Sequence, residues 1–569
     1  MGYIHHLLLA LVFSSFACHS APPIEADNAE GFQEGPPLGH GSGKADDFAD
    51  WPAYAALPVD ADLDSPFQAL FAPDDPVNTL ERTLIAEVQA ARLADPLQYQ
   101  EGANPYRIRY AVYNLRNAKI VDDLANAADA GVDVQILIHH AQLDAEKTWN
   151  TADETLVARG FELVPDHRQL NATTRITADM IGMKTSGLMH MKARIYETPD
   201  RRRLLSGSLN PGDNAVANEE TLHLINEATI IDRYVDAYEA LLEGNGFKNV
   251  WNSEAAVNVL FTPVGSGPRA STQILRWVEE EQEQILLMVF SLRDVRAPGV
   301  VDSLVQILAK KVAAGIPVYA ITDRKQSDGV DANGQPMYWN DSTEDRLRAA
   351  GVPVYEATNS ASPYTAMHHK VAVLGKSRIR VITDAANWTK AGLGSDSVRA
   401  KNVESVLFID SEQLDNNRTG RRYLAQWLKV LKRYAGQSVV DGEESAGPVI
   451  DALMSRADWP TQDVSFSSVV SHTQWGDVVY ATGGRAELGN WGTDHNGAPM
   501  MTDADNFPTW WTPSAVALPL GLSFEWKLTI ADRENATHRQ WESGANRRHT
   551  AAPECLASSE SLLLTASWR

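Results

Sequence analysis

Two ordered strings of reactive side chains recur in the 569-residue chain. In the first, His190-Met191-Lys192 precedes Gly207-Ser208-Leu209-Asn210 and then Asn218-Glu219-Glu220. In the second, His368-His369-Lys370 precedes Asn387-Trp388 and then Asn402-Val403-Glu404. One H-x-K string arises easily by chance, but two ordered copies with similar spacing point to an internal duplication. The residue types suit a phosphodiester, whose cleavage needs a nucleophile, an acid for the leaving alkoxide and fixed positive charge on the phosphoryl oxygens. One imidazole attacks phosphorus while the other protonates the leaving group and then activates water. Lys192, Lys370, Asn210 and Asn387 would hold the oxygens, and Glu220 and Glu404 would fix the outer ring nitrogens of the histidines. No metal or cofactor is needed by this set.

The elements that carry these residues repeat as well. Tyr106 to Tyr113 reads as a strand, Asn117 to Ala130 as an amphipathic helix stopped by Gly131, and Val132 to Ile138 as a buried strand. The same order returns in Ile285 to Leu292, Val300 to Ala314, Gly315 and Ile316 to Ile321. Each H-x-K opens a further strand, and residues i and i+2 of a strand share a face. His190 therefore projects with Lys192 and His368 with Lys370, while Met191 and His369 point away. Helical spacing begins near Asn78, and Gly420 to Tyr434 reads as the helix that closes the second half. The chain is thus expected to hold a duplicated α/β domain.

The paired strings resemble the phospholipase D superfamily over roughly Asn78 to Tyr434. That resemblance implies two α/β halves, each a mixed sheet flanked by helices, meeting at a pseudo-two-fold axis. It also implies one metal-free site, a covalent phosphohistidine and His190 as the nucleophile. Members act on phospholipids, on nucleic acids and as transferases making cardiolipin-like products, so the reaction type carries over better than the substrate. The family aspartate falls on Glu197 in one half and on Gly375 in the other. The G-S before the second asparagine falls on Asp384-Ala385, where a carboxylate opposes an anion unless it is turned away or paired. His139-His140 reads as a strand end rather than a metal site, Arg201-Arg202-Arg203 as a solvated turn, and His369 as a satisfied neighbour.

From about Val464 short strands, turns and aromatics replace the helical period, which indicates a separate all-β domain. Its tryptophans exceed what a small core needs, and exposed indoles suit the C–H faces of sugars. The strings Trp475-Gly476-Asp477, Glu487 to Trp491, Phe507 to Trp511, Phe524 to Lys527 and Trp541 to Arg547 look like the family-20 carbohydrate-binding module, the starch-binding domain. The likeness implies an immunoglobulin-like β-sandwich with two α-glucan sites. The first would use Trp491, Lys527, Trp541 and Asn546; the second would use Tyr480 and Trp510, with Phe507 beside them. Trp526 and Trp475 read as core.

Composition bounds the partners. A formal net charge of -24 and a pI near 5.0 argue against a broad electrostatic grip on nucleic acid or anionic lipid, while leaving room for a small cationic site. Cys18 and Cys555 are the only cysteines, so no disulfide framework exists. Ile4 to Ala17 is too short to span a bilayer and reads as an export signal, and Cys18 behind it resembles a bacterial lipoprotein site. The expected plan is a signal peptide (1–18), a disordered tether (19–64), half 1 (65–255), half 2 (256–436), a linker (437–463) and the sandwich (464–569). The function expected is an exported phosphodiesterase, hydrolase or phosphatidyl-transferase, brought to starch or related α-glucan. It would be secreted or lipid-anchored at the bacterial cell envelope through Cys18, with phospholipid among the candidate substrates. The alternative is a catalytically silent fold serving as a starch-binding surface protein.

Overall fold

The computed structural model describes residues 52–569 apart from 60, 100–102, 144–149, 165–173, 179–183, 328–341, 358–365, 435–445, 493–496, 535–538 and 558–560. The apolar run 4–17, Cys18 and most of the expected tether lie outside the described residues. The tether's last part is packed rather than extended. Pro52–Tyr54 form a 3-10 turn with Ala53 fully buried, and Asn117 Nδ2 donates to the Tyr54 hydroxyl at 2.9 Å. A few scattered apolar residues find a ready surface there, so the folded region begins earlier than residue 65.

Half 1 is built from β1 (Phe67–Ala72), α1 (Val77–Ala94), β2 (Arg107–Val112), α2 (Ala118–Asp129), β3 (Asp133–Ile138), β4 (Glu162–Val164), β5 (Arg175–Ala178), β6 (Ala193–Thr198), β7 (Arg201–Gly207), β8 (Glu220–Ile225) and α3 (Ala228–Glu243). Its sheet runs β1-β8-β7-β6-β2-β3-β5-β4, with β2, β3, β5 and β4 parallel and the others antiparallel. The helix signals behave as expected: the Asn117 side chain accepts from Ile120 N–H at the start of α2, and Gly131 follows it at φ +88°.

A small parallel pair, β9 (Phe247–Lys248) and β11 (Val264–Ser266), flanks the junction between the halves. Half 2 repeats the plan with β10 (Val257–Thr262), α4 (Ala270–Glu280), β12 (Ile285–Val289), α5 (Leu304–Ala313), β13 (Val318–Asp323), β14 (Val354–Ala357), β15 (Lys370–Leu374), β16 (Arg380–Asp384), β17 (Glu404–Asp410) and α6 (Arg418–Tyr434). Its sheet order is β10-β17-β16-β15-β12-β13-β14, with β12, β13 and β14 parallel. Helix α5 starts four residues later than its pattern predicts because Ser303 and Gln306 form a capping box at that point.

Each sheet buries one face under its own helices. The other faces meet in a shared core that holds Met191 and Ile195 from half 1 with Met288 and Val371 from half 2. The expected linker contributes α7 (Ala446–Met454), whose Val449, Ile450 and Leu453 join that core together with Trp459. It is therefore part of the packed body.

The C-terminal sandwich starts at residue 461. One sheet holds β18 (Thr461–Val469), β21 (Thr509–Trp511), β22 (Val516–Pro519) and β26 (Leu562–Ser567). The other holds β19 (Asp477–Gly483), β20 (Ala498–Pro499), β23 (Ser523–Asp532), β24 (Arg539–Trp541) and β25 (Arg547–Thr550). Val464, Phe466, Trp526 and Leu528 fill the space between them.

Candidate active site

The two H-x-K strings converge. The His190 and His368 rings lie with centroids 6.5 Å apart at 77°, and both residues are buried. Lys192 Nζ donates to the His190 carbonyl at 2.5 Å and Lys370 Nζ to the His368 carbonyl at 2.8 Å. Met191 packs into the shared core, and His369 bonds Thr221 Oγ1 through Nδ1 at 2.8 Å.

The carboxylates are exchanged between halves. His190 Nδ1–H donates to Glu404 at 2.7 Å, and His368 Nδ1–H donates to both oxygens of Glu220 at 2.8 Å. A carboxylate only accepts, so each imidazole holds its proton on Nδ1 and the chemistry falls to Nε2. The exchange is made by the backbone. His190 N–H donates to Val403 O at 2.8 Å, and His368 N–H donates to Glu219 O at 2.9 Å. Asn402 Oδ1 accepts from Leu188 N–H and Asn218 Oδ1 from Ala366 N–H, both at 3.0 Å. Each Asn-x-Glu tripeptide thus clasps the segment leading to the other half's histidine.

Several contributors escaped the sequence reading. Tyr113 lies 5.9 Å from the His190 ring and Phe290 4.6 Å from the His368 ring, each beside the lysine of its own half. They occupy matching places in Val112-Tyr113-Asn114-Leu115-Arg116 and Val289-Phe290-Ser291-Leu292-Arg293, a repeat that was available to find them. His139 Nδ1 accepts from Met189 N–H at 3.3 Å, and Asp323 accepts from Met367 N–H at 3.1 Å at the matching point of half 2. Ser208 Oγ donates to Glu220 at 2.5 Å. Asn210 and Asn387 are buried on the loops leaving β7 and β16.

Burial and the nearby lysines disfavour the charged form of both rings. Burial first, then the ammonium groups of Lys192 and Lys370, hold His190 well below the ordinary histidine range. Burial also lowers His368, to about 4, although Glu220 pulls the other way.

The sandwich carries a separate surface. Trp491 and half-exposed Trp541 lie with centroids 6.3 Å apart at 43°. Lys527 Nζ donates to Gly544 O at 2.6 Å, and Asn546 Nδ2 donates to Glu525 at 2.8 Å, so all four expected residues lie in one neighbourhood of β23 to β25. The second expected set fares differently. Tyr480 is buried on β19, and Trp510 lies in the sandwich core with its indole N–H on Val470 O at 3.2 Å. Phe507 is exposed, and so is Trp475, which stands fully in solvent at 105% relative exposure instead of in the core. Trp475 sits in a turn that offers nothing to bury it, closed by Gln474 N–H on Asp477.

A family model described as "Cardiolipin synthase, PLD-like domain" matches residues 101–242 and 275–421, just over half of the chain. The chain belongs to the phospholipase D superfamily. A "Starch binding domain" model matches residues 461–561. The glucan 1,4-alpha-maltotetraohydrolase of Stutzerimonas stutzeri is 44% identical over 88 residues, 15% of each chain. The AA13 family lytic polysaccharide monooxygenase A of Aspergillus terreus is 34% identical over 106 residues, 19% of this chain and 25% of that one. The chain therefore spans only a small part of these curated relatives. Among solved structures, the phospholipase D family member Nuc from Salmonella typhimurium is 18% identical with a TM-score of 0.22, covering 31% of this chain and 93% of that one.

The departures from the phospholipase D pattern have local explanations. Glu197 pairs in register with Arg107 and lies 3.6 Å from Arg109 Nη1. Five residues beyond Lys192 along a strand, it is roughly 16 Å from the lysine, outside any phosphate contact. Gly375 turns the chain after β15 at φ +84°, and a Cβ there would fall 2.3 Å from Arg378 O. Asp384, at φ +107°, accepts from Ser206 Oγ at 2.8 Å and from the Tyr234 hydroxyl at 2.5 Å. Burial raises its carboxyl, and the hydroxyls of Ser405, Tyr234 and Ser206 oppose the rise. The carboxylate that threatened the phosphate site is a paired one.

Proposed function

We propose that this protein is a phospholipase D-type phosphodiesterase that works through a phosphohistidine and is held on starch or a related α-glucan by its C-terminal domain. The observation that carries the proposal is the crosswise pair of His190–Glu404 and His368–Glu220, with both rings in one buried site. A bound diester anion offsets the Lys192 and Lys370 charges that depress the imidazoles, and so lets one ring hold a second proton. Neutral His190 Nε2 attacks phosphorus, the ester P–O bond breaks, and the His368 imidazolium passes its Nε2 proton to the leaving alkoxide. His368 then takes a proton from water, the hydroxide displaces His190 from phosphorus, and a phosphomonoester leaves. An alcohol in place of water gives transfer. The apolar run before Cys18 supports export, either secreted or lipid-anchored.

His190→Ala and His368→Ala should each lower hydrolysis of a chromogenic diester by roughly a thousandfold or more while starch binding persists. Wild type quenched in alkaline detergent should carry a covalent phosphate that is stable to alkali and lost on acid treatment, and His190→Ala should lack it. Absence of turnover by wild type on lipid, nucleotide and chromogenic diesters alike would leave only a starch-binding surface protein.

A further inference from the structure

The two catalytic histidines stand on unlike ground. Behind the His190–Glu404 bond, the neighbouring residues Met191 and Val403 are buried in apolar core. Behind His368–Glu220, the matching residues are His369 and Glu219, both buried and both polar. Helix α6 reaches this second layer with three side chains. Gln426 Nε2 bonds Glu219 at 3.4 Å and His369 Nε2 at 3.3 Å, the Tyr434 hydroxyl donates to Glu219 at 3.0 Å, and Arg433 pairs with Glu219. Arg433 also bonds Asp74 at 2.7 Å, which Lys429 meets at 2.8 Å. His369 closes the layer through Thr221, the residue after Glu220.

The same helix seats the starch-binding domain. Lys432 Nζ donates to Gly521 O at 3.2 Å, Arg422 bonds Pro553 O, and Arg418 bonds Ala557 O. Gly521 sits so close that a Cβ would fall 2.5 Å from Leu428 Cδ1.

We infer that Gln426, Arg433, Glu219 and His369 form a positioning layer that holds the His368–Glu220 pair. Helix α6, and the domain seated on it, then belong to the catalytic scaffold. Buried polar networks have narrow geometry, so a fully bonded layer holds its ring more rigidly than apolar packing does. This inference rests on the phosphodiesterase proposal only for its kinetic readout.

The test compares Gln426→Leu and Arg433→Met with wild type on a chromogenic diester. The expected result is a fall in kcat of about tenfold to a hundredfold. KM should stay within about twofold and the pH dependence of kcat should move, while Arg433→Lys recovers most of the loss. Wild-type kcat and pH profile in folded variants would overturn the inference. If the substitutions prevent folding, Thr221→Val, which removes one hydroxyl from the layer, carries the same test. If wild type turns over no diester, the His368 Nδ1–H resonance of histidine-labelled protein decides instead. Its displacement by Gln426→Leu supports the layer, and an unmoved resonance overturns it.

Discussion

What an imidazole can do is set by the group on its far nitrogen, and here that group comes from the opposite half. Glu404→Gln keeps the size and one acceptor at His190 Nδ1 but removes the charge that steadies the cationic ring of the intermediate. It should lower kcat by roughly 10–100-fold with KM little changed, read by steady-state kinetics on a chromogenic diester. A second residue prediction concerns pH. Burial pushes His223 down to about 3, beneath the hydroxyl of Tyr423. Between about 3 and the unperturbed value near 6.5, the unfolded chain takes a proton that the native ring refuses, so stability is lost as pH falls. His223→Gln should flatten the acid side of a urea-midpoint curve between pH 7 and 4, by up to ~1.4 kcal/mol per pH unit. Asp384 nearby, raised by burial, acts with the opposite sign, so the difference between variant and wild type is the readout. The types and order of His190, Lys192, Glu220 and their partners were legible in the sequence, because duplication made a weak motif strong. The crosswise pairing was not, since similar spacing would also allow each glutamate to serve its own half. That Tyr480 is buried was not legible, because the buried stretch Val479 to Gly483 gives no alternation from which exposure could be read.

At the scale of elements, the strand-helix-strand unit that opens each half and the strand pair that follows each H-x-K were legible from periodicity and glycine stops, whereas β1, β8, β10, β17 and the helices α3 and α4 were not read. The errors lie at ends, where a side chain outweighs the pattern, as Ser303 does for α5. Strand ends also set the surroundings of the altered third motif residue, with Glu197 near the end of β6 beside Arg109 and Gly375 in the turn after β15. Gly375→Asp would restore the family residue, yet it places a side chain at φ +84° against Arg378 O. It should destabilise the protein by roughly 1–3 kcal/mol in denaturant unfolding and leave the diesterase rate of the folded protein no higher.

For the whole molecule, the tryptophan pair of the sandwich and the buried histidine pair belong to separate parts of one packed body, so the two proposed activities can be tested apart. Trp491→Ala combined with Trp541→Ala should release the protein from starch granules, each indole contributing about 2 kcal/mol or more as a flat anchor. Hydrolysis of a small soluble diester should be unchanged, and undiminished granule binding would remove the first-site assignment. The change to an all-β texture near residue 464 was legible, but the packed character of residues 446–459 was not, because a short apolar helix between two domains looks the same whether it docks or dangles.

The crosswise carboxylates also bear on how the duplication can be taken apart. A polypeptide ending after half 1 would keep His190 and Glu220 but lack Glu404, and one made only of half 2 would keep His368 and Glu404 but lack Glu220. Neither fragment could ready its own imidazole. Activity from the two expressed as separate chains would require their meeting, and would rise with the product of their concentrations until the pair was saturated.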